Sequence, residues 1–82
     1  MTDEQALALL KEALHEVSPA KARELEQLDL NTRVRDAGID SVAAMEMVGA
    51  IEERLQVTFP DEDLAQLNRF VDIVDLIKSA RT

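Results

Sequence analysis

Gly38-Ile39-Asp40-Ser41-Val42-Ala43-Ala44-Met45-Glu46-Met47-Val48-Gly49-Ala50-Ile51-Glu52-Glu53-Arg54-Leu55 is the stretch on which the fold turns. From Ser41 onward, Ala44, Met47, Val48, Ile51 and Leu55 recur at i, i+3, i+4, i+7 and i+11, the spacing that gathers apolar side chains into one stripe of an α-helix. A helix is expected over 41–55, with that stripe in the core. Gly38 closes the aperiodic segment before it. The β-branched run Gln56-Val57-Thr58-Phe59-Pro60 ends it, and Pro60-Asp61 marks a fresh start.

Toward the N-terminus, Thr2 with Gln5 three residues on has the form of a capping box, and Leu7, Leu10, Leu14 and Val17 follow at helical spacing. This reads as a helix from Asp3 to Val17. Ser18-Pro19 stops it, because proline brings no amide proton, and the same pair can open another helix. Ala22, Leu25 and Leu28 allow a short one near Pro19–Gln27, a point the sequence leaves open. Residues 29–40 lose periodicity and read as a long loop pinned by Leu30, Val34 and Ile39. Toward the C-terminus, a short helix fits Asp61–Gln66. Asn68 is placed as the cap of a last helix carrying Phe70, Ile73, Val74 and Ile77. The fold expected is all-α: an antiparallel four-helix bundle, three long and one short, with a long first loop, built as a single domain over 1–82.

Composition narrows the function. An 82-residue chain that is 46 % hydrophobic can close one modest core unaided. It has no cysteine, so no disulfide framework or thiolate, and it suits a reducing compartment. No apolar run approaches the roughly 20 residues that span a bilayer, and the acidic start lacks the basic flank of a signal peptide. A cytoplasmic monomer is expected, with no membrane partner. Seventeen acids against nine bases give a net charge of −8, which repels nucleic acid and favours partners that present Lys and Arg. The excess lies in the middle: residues 40–63 hold Asp40, Glu46, Glu52, Glu53, Asp61, Glu62 and Asp63 against Arg54. A solvated face that keeps the protein soluble is the plain alternative for such a run.

An enzyme finds little to use here. The one histidine, His15, sits near the end of the first helix, where solvated imidazole is the default. No set of carboxylates or imidazoles has metal-ligand spacing. The chain is read as a non-enzyme with no metal. One junction stands out, where a loop passes through Asp40-Ser41 into the longest and most acidic helix. A serine at a helix mouth keeps its hydroxyl at the surface, and a phosphodiester there would face the free amides of the first turn. Asp40 or Ser41 merely capping the helix is the competing account, and position alone does not decide between them.

Gly38-Ile39-Asp40-Ser41-Val42 is similar to the attachment motif of acyl carrier proteins, in which the serine of an Asp-Ser-Leu triplet receives 4′-phosphopantetheine from coenzyme A. The likeness runs on through Met45-Glu46-Met47-Val48, Ile51-Glu52-Glu53-Arg54-Leu55, Phe59-Pro60-Asp61-Glu62-Asp63 and Phe70–Ile77 at the family's usual spacing, about half the chain, whereas residues 1–36 fit only in general plan. The resemblance implies that Ser41 bears the arm and that Asp40 belongs to the docking site of the phosphopantetheinyl transferase and its metal. It implies too that Val42, Met45, Glu46, Glu52 and Glu53 face partner enzymes. Those partners would be an acyltransferase or acyl-activating ligase and ketosynthase-type enzymes with basic docking patches. Val42 and Met45 as peripheral core is an equal alternative.

Three positions depart from the family pattern. Val42 stands where leucine is usual, and Ala37 where a larger apolar residue often precedes the glycine. Gly49 stands inside the helix at a cost of about 1 kcal/mol relative to alanine, so it is expected to open room for a partner's surface or for an attached acyl chain. The function expected is to hold acyl intermediates as thioesters for polyketide or fatty acid synthesis. The rivals are an aminoacyl or peptidyl carrier and, from another class, a helical interaction domain without a prosthetic group. Met1 and the compact ends are read as a free-standing carrier rather than an excised synthase module.

Overall fold

The computed structural model describes residues 2–24 and 29–80. Among the described residues five α-helices follow one another: α1 (Asp3–Val17), α2 (Pro19–Glu24), α3 (Ser41–Leu55), α4 (Asp61–Ala65) and α5 (Phe70–Ser79), with a 3-10 helix at Val34–Ala37 before α3. Among the described residues there is no β-strand, only a single antiparallel bridge between Arg33 and Arg69. No helix there is long and apolar enough to cross a membrane.

The helix ends have visible causes. At α1 the Thr2 hydroxyl accepts from the Gln5 amide at 3.1 Å and the Gln5 side chain accepts from the Thr2 amide at 2.9 Å, the expected reciprocal box. The Ser18 amide closes α1 on the Leu14 carbonyl at 2.8 Å, and the Ser18 carbonyl accepts from Ala22 at 3.0 Å to open α2 at Pro19. The short helix left open by the sequence is therefore present over Pro19–Glu24, and its expected end at Gln27 lies outside the described residues. Helix α3 closes on Gln56, whose φ of 55° and ψ of 45° put it in the left-handed region without being glycine.

Two expectations change. Residues 29–40 are not all loop, since Val34–Ala37 form a 3-10 turn that closes on Gly38 at φ 83°. Asn68 does not cap α5. Helix α5 starts one residue later, after Arg69, and Asp72 Oδ2 reaches back to accept from the amides of both Asn68 (3.0 Å) and Arg69 (2.8 Å). Asn68 is otherwise engaged, because its carbonyl accepts from the Val34 amide at 3.0 Å. Thr32 and Leu30 likewise offer their carbonyls to the amides of Phe70 (3.2 Å) and Val71 (2.9 Å), and the Arg69 guanidinium donates to the Asn31 carbonyl. The crossover is thus laced to the start of α5.

The core lies where α1 packs against α3 and α5. Phe70, Leu10, Met47, Ile51 and Ile77 are its largest fully buried side chains, joined by Val48, Ile73, Val74, Leu14 and, from the crossover, Val34 and Ile39. The α5 quartet Phe70, Ile73, Val74 and Ile77 is buried throughout. Of the α3 stripe, Met47, Val48 and Ile51 are buried, while Ala44 and Leu55 are only partly covered. Ion pairs brace the outside: Arg54 reaches Glu16 (2.6 Å) and Glu12 (3.6 Å) on α1, and Lys78 reaches Asp3 (2.5 Å). The Lys78 ammonium is held above its ordinary value chiefly by its hydrogen bond to Asp3, so this tie is complete below the usual lysine range and is lost as pH rises past it. Such exposed pairs add little stability individually.

Truncating Phe70, the largest of the fully buried side chains, leaves a cavity in this core. Phe70→Ala is expected to lower the unfolding free energy by about 3–5 kcal/mol in urea denaturation.

Candidate functional site

At the junction into α3 the cap and the exposed serine are two adjacent residues. Asp40 is the N-cap: its backbone is extended, its Oδ1 accepts from the Ala43 amide at 2.8 Å, and its carbonyl accepts from the Ala44 amide at 2.8 Å. Ser41 is the first helical residue and is exposed. Its hydroxyl has no hydrogen-bond partner among the described residues, so the serine does no structural work that its neighbour has not already done. The amides of Ser41 and Val42 likewise have no protein acceptor among those residues. A free hydroxyl beside unpaired first-turn amides can carry a phosphodiester and stabilise its charge through the helix dipole.

Gly38 makes the approach to this turn possible. At φ 83° a side chain would be strained, and a Cβ there would also press on the Lys21 side chain. Ile39, buried at 4 % exposure, then anchors the chain in the core directly before Asp40. Beside Ser41 opens a groove of ≈ 320 Å³, walled by Val34 and Arg35 of the 3-10 helix, by Ile39, Asp40 and Ala44, and by Leu67 and Asn68 before α5.

The remaining residues expected at the site divide. Val42 and Met45 are 68 % and 56 % exposed, which removes the reading of them as peripheral core. Glu46, Gly49 and Glu53 are exposed on the same helix. A Cβ built on Gly49 meets nothing within 4 Å, so the space it leaves is open solvent rather than room in the interior for an acyl chain. Glu52 is only partly exposed, and its Oε2 accepts from the Phe59 amide at 2.7 Å, holding the 56–60 turn against α3. Arg54 is spent on Glu16 and Glu12, chiefly through its hydrogen bond to Glu16, which raises its pKa further.

Sequence reasoning missed Arg35, Leu67 and Asn68 as neighbours of Ser41. Nothing in their spacing announced it, because the lacing of the crossover to α5 brings them together. A second groove of ≈ 370 Å³ between α4 and α5 carries Asp63, Asp72 and Asp75 but not Ser41. No group of carboxylates or imidazoles capable of holding a metal ion occurs among the described residues.

Residues 7–77 match the family model described as the phosphopantetheine attachment site. An acyl carrier protein of Rickettsia bellii is 25 % identical over 67 residues, covering 80 % of this chain and 78 % of that protein. An acyl carrier protein homolog of Ureaplasma parvum is 27 % identical over 66 residues, 80 % of this chain and 86 % of the relative. A non-reducing polyketide synthase of Emericella nidulans is 33 % identical over 72 residues, which is 88 % of this chain but 2 % of that protein. No solved structure matches.

Two substitutions probe the local physics. Asp40→Ala should cost about 1 kcal/mol of stability by removing the cap, and Asp40→Asn should restore most of it, both read by chemical denaturation. Gly49→Ala should raise stability by about 1 kcal/mol in the same assay, since the new methyl meets open space and only the helix propensity changes.

Proposed function

Because the chain belongs to the acyl carrier protein family, whose members are carriers rather than catalysts and bear 4′-phosphopantetheine, we propose that Ser41 is the attachment residue and that the protein presents acyl cargo to successive enzymes. The observation that carries this reading is the division of labour at the helix mouth. Asp40 does the capping, and the Ser41 hydroxyl is left exposed and unengaged. When bound, the group supplies a terminal thiol on a long tether, and the thioester chemistry is its own and that of partner enzymes.

The chain's own residues do three things in this account. Ser41 provides the oxygen that bonds to phosphorus. The amides of Ser41 and Val42 face the phosphodiester charge at the positive end of α3. Val42, Met45, Glu46, Gly49 and Glu53 form the face that meets enzymes, two apolar side chains set among acids, which complements basic docking patches and speeds encounter more than it tightens binding. Glu52 contributes there with one oxygen committed to Phe59. Tethering raises the local concentration of cargo at each active site without requiring high affinity for any.

The partners in this reading are a phosphopantetheinyl transferase, for which Asp40 is part of the docking site, an acyltransferase or acyl-activating ligase, and ketosynthase-type enzymes. The pathway is polyketide or fatty acid synthesis, the former supported by the likeness to a segment of a polyketide synthase. The whole chain is read as one carrier domain, acting in the cytoplasm as a monomer.

Incubation with coenzyme A, Mg²⁺ and a broad-range phosphopantetheinyl transferase should add the mass of one phosphopantetheine to the intact protein, and Ser41→Ala should gain none. A wild-type chain that stays at its apo mass, or a Ser41→Ala chain that gains the group, overturns the assignment. Val42→Ala and Met45→Ala should leave stability within about 0.5 kcal/mol while slowing acyl transfer from a cognate enzyme, as exposed docking residues do.

A further inference from the structure

The groove beside Ser41 has one feature that attachment alone does not need. Its apolar walls, Val34, Ile39, Ala44 and Leu67, are joined by a single cation, Arg35. In a chain of net charge −8, cations are scarce and several are already committed: Arg54 to Glu16 and Glu12, Lys78 to Asp3, Lys21 to Glu24, and Arg69 to the Asn31 carbonyl. The Arg35 guanidinium is exposed and has no hydrogen bond or ion pair among the described residues, even though Asp40 lines the same groove. It is held by the 3-10 helix rather than by a free loop, and the Arg35 carbonyl accepts from the Gly38 amide at 3.1 Å at the turn that leads into Asp40 and Ser41.

A phosphodiester on Ser41 stands next to the Asp40 carboxylate, so the modified junction gathers two anions within one turn. The first-turn amides offset part of that charge, and a guanidinium lining the same groove would offset more, through its planar pair of N–H donors. Resting on the assignment of Ser41 made above, we propose that Arg35 is a positioning residue for the prosthetic group. It binds the phosphodiester oxygens and tilts the arm into the groove against Ile39 and Leu67, with the side-chain carboxamide of Asn68, whose backbone amide is held by Asp72, open to the polar stem. Charge complementarity, and the place of Ser41 itself in the wall, suit this groove to the arm that Ser41 bears. Arg35 takes no part in the attachment chemistry. Its effect is on where the arm rests between visits to enzymes.

The test compares wild type and Arg35→Gln, each as apo and holo protein, by ¹H–¹⁵N and ³¹P NMR, with intact mass confirming the loading of each. Loading of the wild type should shift the Arg35 Nε–H signal and the backbone amides of Leu67 and Asn68. In holo Arg35→Gln the Leu67 and Asn68 shifts should be lost, and the ³¹P signal should move toward that of a phosphodiester free in solution. Unchanged Leu67 and Asn68 signals on loading the wild type, or shifts of equal size in Arg35→Gln, overturn the proposal while leaving Ser41 as the attachment residue. Failure of the wild type to load at all overturns the attachment itself and this proposal with it. Because Arg35 is exposed and without a partner in the apo protein, Arg35→Gln is expected to fold as wild type does, and its apo spectrum provides that control.

Discussion

Backbone hydrogen bonds between residues 30–34 and 68–71 hold this molecule in its working shape. Residues 29–33 lie outside any helix, and their amides and carbonyls must find partners when they approach a core. Here the carbonyls of Leu30, Thr32 and Asn68 and the amides of Val34, Phe70 and Val71 satisfy one another, and the Arg69 guanidinium takes the Asn31 carbonyl. Once that seam is closed, Val34 and Ile39 cover the edge of the core, Gly38 turns the chain, and Asp40 arrives in position to cap α3. Asp72 serves the same seam from the other side by fixing the amides of Asn68 and Arg69. The exposure of Ser41 is thus a consequence of contacts made some thirty residues away.

Charge is distributed with similar division of purpose. The acids of the middle segment do different things. Asp40 is a cap, Glu52 holds the Phe59 amide, and Glu46 and Glu53 are left to solvent and to whatever docks there. Arg54, the one base among them, faces away toward α1 and is neutralised by Glu12 and Glu16. The outward face of α3 near Ser41 therefore keeps its negative character undiluted, with Val42 and Met45 as its apolar spots.

The sequence made the long helices legible because their apolar residues recur with the period of the structure. Thr2 with Gln5, the 41–55 stripe, and Phe70, Ile73, Val74 and Ile77 each stand where the spacing put them. Periodicity says little about small residues, and so it does not announce the burial of Ala6, Ala13 and Ala50. Nor could local signals reveal long-range partners. Asn68 has the chemistry of a cap, but the seam claims its carbonyl and moves the helix start to the next residue. Glu52 reads as a surface acid until the 56–60 turn folds back on it. Ser41 was legible as a candidate from its motif and its place, whereas the freedom of its hydroxyl follows from which of two adjacent residues accepts the Ala43 proton, a choice only geometry makes.

The contact between Asp3 and Lys78 has a consequence of a different kind. It joins the first turn of α1 to the last turn of α5, so the polypeptide enters and leaves the helical unit at neighbouring points. A unit with adjacent doorways can be strung on a longer chain like a bead, its interior indifferent to what precedes or follows. Its relatives span a range of sizes, from a protein of which it covers 78 % to one of which it covers 2 %.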